Sequence, residues 1–121
     1  MATEKYIDNT AIVQVIGNIY SNPALLGMTD KYKFHEEDFP DDFSKIVFGS
    51  IYNLYQLGSR EITLASIEDY LAQRPKKLAT YKSYKGAEYI LKCAENAQVM
   101  SFDYYYNRMK KMTLLRMYDN A

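Results

Sequence analysis

Apolar residues recur at steps of three and four along most of the chain, the spacing that places side chains on one side of an α-helix. The clearest stretch, Asp38 to Tyr70, contains two such patterns separated by Gly58. Pro40 is expected in the first turn of the first helix and Gly58 at its end, because proline suits helix starts and glycine suits helix ends. Thr63 is expected to cap the second helix. The stripe of the first helix consists of Phe43, Ile46, Val47, Ser50, Ile51, Leu54 and Tyr55.

The N-terminal part of the chain predicts a disordered segment followed by a helix. Residues 1–9 are polar, with charges of both signs. A helix is expected from Thr10, as its N-cap, to Tyr20, because the residue before the proline of Asn22-Pro23 avoids the α conformation. Gly17 lies inside this helix, where glycine costs up to about 1 kcal/mol relative to alanine. A close approach of another helix would explain it.

The C-terminal part predicts two more helices after Gly86. One ends near Asn96, and the last runs from Phe102 to about Tyr118 with Ser101 as its N-cap. Apolar residues of the last helix form more than one stripe, which is typical of a helix with more than one partner. We therefore expect a protruding hairpin that pairs with a second copy of the chain; solvation of the extra tyrosines is the alternative. The expected self-association residues are Tyr89, Phe102, Tyr105, Tyr106, Met109 and Met112.

Together these patterns predict an all-α fold in a single domain, as the length of 121 residues also suggests. The expected organisation is a disordered N-terminus over residues 1–9 and a small globular helical bundle over residues 10–85. A C-terminal helical hairpin over residues 86–121 follows and leads towards a linker.

Composition excludes several classes of function. The chain has 15 basic and 15 acidic residues, so no net charge draws it to nucleic acid or to an anionic membrane. No apolar run reaches the roughly 18 residues that cross a bilayer. The N-terminus lacks the pattern of a signal peptide, so a cytoplasmic protein is expected.

Recognisable catalytic chemistry is missing from the sequence. Cys93 and His35 are the only residues of their types. Neither a metal site nor a Ser-His-Asp triad can be built from recognisable parts, so we expect no catalytic residues, no metal and no cofactor. Cys93 is interpreted as a small residue on a helix face and His35 as a solvated loop residue.

A basic stretch between Pro75 and Gly86 is the one segment that resembles a nucleic-acid surface. Its lysines alternate with tyrosines, and lysines reach phosphates while aromatic rings stack on bases. A solvated helix face is the alternative. The possible contacts are Lys76, Lys77, Lys82 and Lys85.

Short motifs follow one another in a definite order from about residue 10 to residue 117. They are Asn22-Pro23, Asp38-Phe39, Val47-Phe48, Leu54, Gly58, Ile62-Thr63-Leu64-Ala65-Ser66, Gly86, Glu95-Asn96 and Leu114-Leu115-Arg116. In this order the chain resembles the N-terminal domain of the replicative DNA helicases of the DnaB type. Ser44 and Thr63 stand where that family usually has His and Asp, and the stretch after Pro75 is unusually basic. These departures favour a divergent member, for instance from a phage or plasmid.

The resemblance implies a non-catalytic collar domain that dimerises towards a hexameric ring and docks primase, a helicase loader or both. ATP and magnesium would belong to a motor domain that follows it, and DNA would be contacted mainly through the parent ring, in a bacterial or phage-infected cell. Two alternatives stay open: a stand-alone phage protein that mimics this domain, and a small DNA-binding module.

Overall fold

Helices account for all the regular structure in the computed structural model, which describes residues 6–119. The α-helices are α1 (Asn9–Ser21), α2 (Asp42–Gln56), α3 (Leu64–Ala72), α4 (Pro75–Ser83), α5 (Gly86–Asn96) and α6 (Phe102–Asp119). Short 3₁₀ helices cover Pro23–Gly27, Glu36–Asp38 and Val99–Ser101. Since residues 6–119 contain no strand, the predicted all-α fold is confirmed.

The first helix, α1, is the centre of the bundle. It packs most extensively against α5 and α6 and also touches α2. Its buried residues cover most of its circumference and are Ala11, Ile12, Gln14, Val15, Ile16, Gly17, Asn18 and Ile19. The sequence pattern was clearest in α2 and α3, but the structure places α1 at the centre of the packing.

Gly17 marks the closest approach between α1 and α5. A Cβ atom at Gly17 would lie 2.1 Å from the carbonyl oxygen of Cys93, a distance that no real Cβ tolerates. The predicted approach of another helix at this glycine is therefore confirmed. Gln14 holds the same contact, because its side-chain amide donates to the Asn96 carbonyl (2.6 Å) and accepts from the Gln98 N–H (2.8 Å).

Two helix ends follow the predicted local signals. The Thr63 hydroxyl accepts a hydrogen bond from the Ser66 N–H (3.1 Å) and caps α3. Gly58 follows the end of α2 with φ +105°, the left-handed region that glycine adopts without strain.

Three helix starts differ from the prediction. The N-cap of α1 is Asp8, whose carboxylate accepts from the Ala11 N–H (3.0 Å), and not Thr10. The N-cap of α2 is Asp41, so Pro40 precedes the helix instead of lying in its first turn. Ser101 ends a 3₁₀ turn that continues directly into α6, and it is not an extended N-cap residue.

The C-terminal helices are part of the bundle and do not protrude as a hairpin. Both α5 and α6 pack on α1, and each makes far fewer contacts with the other than with α1. The reason is that α1 is buried nearly all round and needs neighbours on several sides. The expected division between residues 10–85 and 86–121 therefore does not match the packing.

The segment before α1 touches the far end of the chain. The Asp8 carboxylate forms an ion pair with Arg108 (3.1 Å), and the Tyr6 carbonyl accepts from Arg116 (2.6 Å). The disorder predicted for residues 1–9 thus does not describe residues 6–9; residues 1–5 lie outside the described residues.

Candidate docking surface

The last helix, α6, has a buried side and an exposed side. Phe102, Tyr106, Met109 and Thr113 recur at steps of three and four and are buried against the bundle. On the opposite side Tyr104, Leu114 and Tyr118 are 63%, 57% and 79% exposed. The surplus of apolar side chains expected for this helix therefore lies on its outer side.

Three of the six predicted self-association residues lie on the buried side of α6. Phe102, Tyr106 and Met109 belong to the core, so they are not free to contact a second copy. Tyr89 and Tyr105 are half-buried and pack against that core, and Met112 is half-buried as well. The periodicity of α6 predicted more than one apolar stripe. Which stripe is buried depends on where α1 packs, and the sequence of α6 alone does not contain that information.

Exposed residues that the predicted interface did not include form a line along α6, which we call the outer stripe. It begins at Met100, which is 97% exposed in the 3₁₀ helix that precedes α6. The available signal was a regular spacing of four, three, four, three and four residues. The members of the outer stripe are Met100, Tyr104, Asn107, Lys111, Leu114 and Tyr118, all of them exposed.

The segment of residues 31–39 fixes the rotation of α6 about its own axis. Tyr32 is buried, and its ring packs edge-on against Phe102 (centroids 4.9 Å apart) and Tyr106 (5.0 Å). The Tyr106 hydroxyl accepts from the Lys33 N–H (2.7 Å) and donates to the Lys33 carbonyl (3.1 Å). These contacts turn one side of α6 inward and leave the outer stripe facing solvent.

Asp38 is a fully buried carboxylate at the end of this segment. It accepts hydrogen bonds from the Thr113 hydroxyl (2.7 Å) and the His35 N–H (3.0 Å), and it forms an ion pair with Lys110 (2.9 Å). Arg116 adds a bond to the Glu37 carbonyl (2.8 Å). Since burial of a carboxylate is costly without partners, these bonds hold residues 31–39 firmly on α6.

A second polar contact lies at the start of α6. The Tyr32 hydroxyl donates to the Asp103 carboxylate, which also faces Lys31 (3.4 Å). The hydrogen bond from Tyr32, followed by Lys31, lowers the pKa of Asp103. Burial is the largest cause that raises the pKa of Tyr32. The negative charge of Asp103 therefore stays on the carboxylate.

The lysines of the basic stretch do not converge on one surface. Lys76 and Lys77 lie in the first turn of α4 and line a cavity of about 270 Å³ together with Lys45 and the carboxylates Glu36 and Asp42. Lys82 is in the last turn, and Lys85 follows the helix in the left-handed region with φ 55°. The carboxylates beside the first two lysines weaken the local positive potential.

The tyrosines of the same stretch are also not arranged for stacking on bases. Tyr81 is 1% exposed and belongs to the core. Tyr84 is exposed but lies against Phe43, with ring centroids 5.3 Å apart. The rings of Tyr81 and Tyr84 therefore contact other side chains of the same protein.

The potentially reactive side chains are isolated from one another. Cys93 is buried between α5 and α1, and this burial raises the pKa of its thiol to about 11. His35 is exposed at the start of a 3₁₀ turn. Among residues 6–119, no three His, Cys, Asp or Glu side chains are placed so that they could hold a metal ion. Within the same range, no helix is both long and apolar enough to cross a bilayer.

Comparison with known proteins found a similar protein from a prophage. Over 112 residues the chain is 39% identical to the SPbeta prophage-derived uncharacterized protein YorI of Bacillus subtilis (strain 168). The matched stretch is 93% of this chain but only 22% of that relative, which is several times longer. No family model matches the chain, and no solved structure matches it.

Proposed function

We propose that this chain is the non-catalytic collar domain of a divergent, phage-type replicative DNA helicase. The observation that carries the proposal is the outer stripe, since exposed apolar side chains on an otherwise packed helix are typical of a protein–protein surface. Such a surface supports a role in assembly and in the docking of partners.

Two further observations support this role. The helix boundaries at Asn22-Pro23, Gly58, Thr63, Gly86 and Asn96 fall at the motifs that carry the resemblance to DnaB-type collar domains. The similar prophage protein is several times longer than the matched stretch, as expected for a domain joined to a larger protein. In this role the chain would contact further copies of itself, primase or a helicase loader, in the cytoplasm of a bacterial or phage-infected cell.

A direct DNA-binding role has less support, because the lysines of the basic stretch are dispersed and Tyr81 is buried. ATP and magnesium would be held by the motor domain of the parent protein and not by residues of this domain.

The test begins with the coding sequence on both sides of this stretch. We expect a GxxxxGK[ST] phosphate loop in the same reading frame. The parent protein is then compared with a variant that lacks residues 6–119, by native mass spectrometry, ATP hydrolysis and binding to the phage primase. The deletion should retain ATP hydrolysis but lose stable ring assembly and primase binding. A frame without the phosphate loop, or a deletion variant with unchanged assembly and primase binding, would contradict the proposal.

A further inference from the structure

The outer stripe is spaced like one side of a coiled coil. Its members alternate at steps of four and three, the spacing of the positions that face a partner helix in coiled coils. Within α6, from Tyr104 to Tyr118, it extends about 21 Å at 1.5 Å per residue. The opposite side of α6 is already covered by α1 and by residues 31–39, and no other element of residues 6–119 lies over the stripe.

The stripe is complementary to itself when a second α6 runs antiparallel to the first. With a two-fold axis beside Met109, each apolar member meets an apolar member of the other copy, as a symmetric interface requires. The resulting apolar pairs are Met100 with Tyr118 and Tyr104 with Leu114, each of them formed twice.

The charge of Lys111 disfavours two alternative arrangements. The axis beside Met109 places Lys111 opposite Asn107, whose side-chain oxygen can accept from the ammonium group. A parallel arrangement in register, or an antiparallel one centred on Lys111, would place the two Lys111 side chains against each other. Lys111 has no ion-pair partner within residues 6–119, so its positive charge would oppose those arrangements.

Two cationic side chains that flank the axis have carboxylate partners in their own chain. Arg108 is held by Asp8 (3.1 Å) and Lys110 by Asp38 (2.9 Å) of the same chain. Both positive charges are therefore partly compensated before a second copy approaches. The ring of Tyr105 contacts that of Tyr104 (centroids 5.2 Å apart), which limits the freedom of Tyr104 before binding.

We infer that two copies of this chain pair through antiparallel α6 helices, with the outer stripe as the interface and the two-fold axis beside Met109. The pairing specifies the interface for the assembly role proposed above. Only the incorporation of the dimer into a helicase ring rests on that proposed function. A single helix pair buries less than the roughly 1,200 Å² of a standard interface, so the dimer should dissociate on the order of 10–100 µM.

Sedimentation velocity on the chain, from about 5 to about 500 µM, measures the pairing. Leu114→Glu should weaken it at least tenfold, since two carboxylates would enter the apolar contact. Leu57→Glu is the matched control, because Leu57 is 78% exposed outside α6 and its replacement should leave the dissociation constant unchanged. Circular dichroism and urea unfolding verify that both variants fold. A folded chain that stays monomeric throughout, or a Leu114→Glu variant that pairs normally, overturns the inference.

The register has its own test at position 107. Asn107→Glu places a carboxylate opposite Lys111 and should strengthen pairing about three- to tenfold at low salt, whereas Asn107→Lys should weaken it by a similar factor. Equal effects of both substitutions would overturn the register. Mixing Asn107→Cys with Lys111→Cys should give a disulfide-linked heterodimer, and neither variant alone should cross-link efficiently. These measurements need only this chain, so a monomeric result would refute the pairing alone. The proposed function is tested separately, by ring assembly, ATP hydrolysis and primase binding of the parent protein.

Discussion

Gly17 is the position where a single added carbon has the largest structural consequence, because the backbone of α5 occupies the space. A Cβ there would lie 2.1 Å from the Cys93 carbonyl oxygen, so alanine would force α1 and α5 apart. Tight overpacking of this kind costs about 1–3 kcal/mol. The intrinsic preference of helices for alanine offsets only part of that cost.

We therefore expect Gly17→Ala to lower the free energy of unfolding by about 2 kcal/mol, as measured by urea denaturation. Gly49→Ala is the matched control in α2, because a Cβ at Gly49 meets no atom within 4 Å. That control should raise the free energy of unfolding by up to about 1 kcal/mol. Equal effects of the two substitutions would contradict the close contact.

Tyr81 has a buried hydroxyl without a hydrogen-bond partner in residues 6–119. Removing an unsatisfied polar atom relieves a desolvation cost, so Tyr81→Phe should leave the free energy of unfolding unchanged or raise it by about 1 kcal/mol. Tyr106→Phe removes a hydroxyl with two bonds to Lys33 and should lower the free energy of unfolding by about 1–2 kcal/mol. Thermal and urea unfolding of both variants measure this contrast. A loss for Tyr81→Phe as large as that for Tyr106→Phe would refute it.

At the scale of elements, the attachment of residues 31–39 to α6 rests mainly on Asp38. Its carboxylate is fully buried, and its ion-pair partner Lys110 is 27% exposed in its side chain. Loss of one member of a buried pair costs about 3–5 kcal/mol, and partial exposure of the lysine reduces that figure.

Asp38→Ala should accordingly lower the free energy of unfolding by about 2–4 kcal/mol and speed amide hydrogen exchange in residues 31–39. The Lys31–Asp103 pair provides the contrast, since both of its side chains are more than half exposed. Lys31→Ala should change stability by less than about 0.5 kcal/mol. Unchanged exchange after Asp38→Ala would show that other contacts hold the segment.

Sequence reasoning succeeded where a structural feature depends on neighbouring residues. Gly58 and Thr63 were placed correctly because turn and capping preferences are local. The burial of Tyr106 and Met109 and the exposure of Leu114 depend instead on α1 and on residues 31–39, which are far away in the sequence. The bond between Asp38 and Thr113, which joins residues 75 positions apart, has no local sequence signal either.

For the molecule as a whole, several buried ionisable groups set an alkaline limit on stability. Burial raises the pKa of Cys93 from 9.0 to about 11 and that of Tyr81 from 10.0 to about 12, and it also raises the pKa of Tyr89. A raised pKa in the folded state means that the folded protein holds these protons more tightly than the unfolded chain does. Their contribution to stability is complete below pH 9 and is lost as the pH rises through the folded-state values.

The free energy of unfolding should therefore fall from about pH 9 upward, as urea denaturation at pH 7, 9 and 10.5 would measure. Above pH 10, Tyr81→Phe should show a shallower fall than the unmodified chain, because one of the groups has been removed. A flat profile up to pH 10.5 would exclude this explanation.

The contact of Gly17 with the backbone at Cys93 also gives the chain an internal reporter. Cys93 is 1% exposed, so a maleimide or disulfide reagent reaches its thiol only when the bundle opens. The rate of labelling then measures how often the Cys93 site becomes accessible, without any added probe. Since Gly17→Ala forces α1 and α5 apart, it should speed labelling of Cys93 at urea concentrations far below the unfolding midpoint.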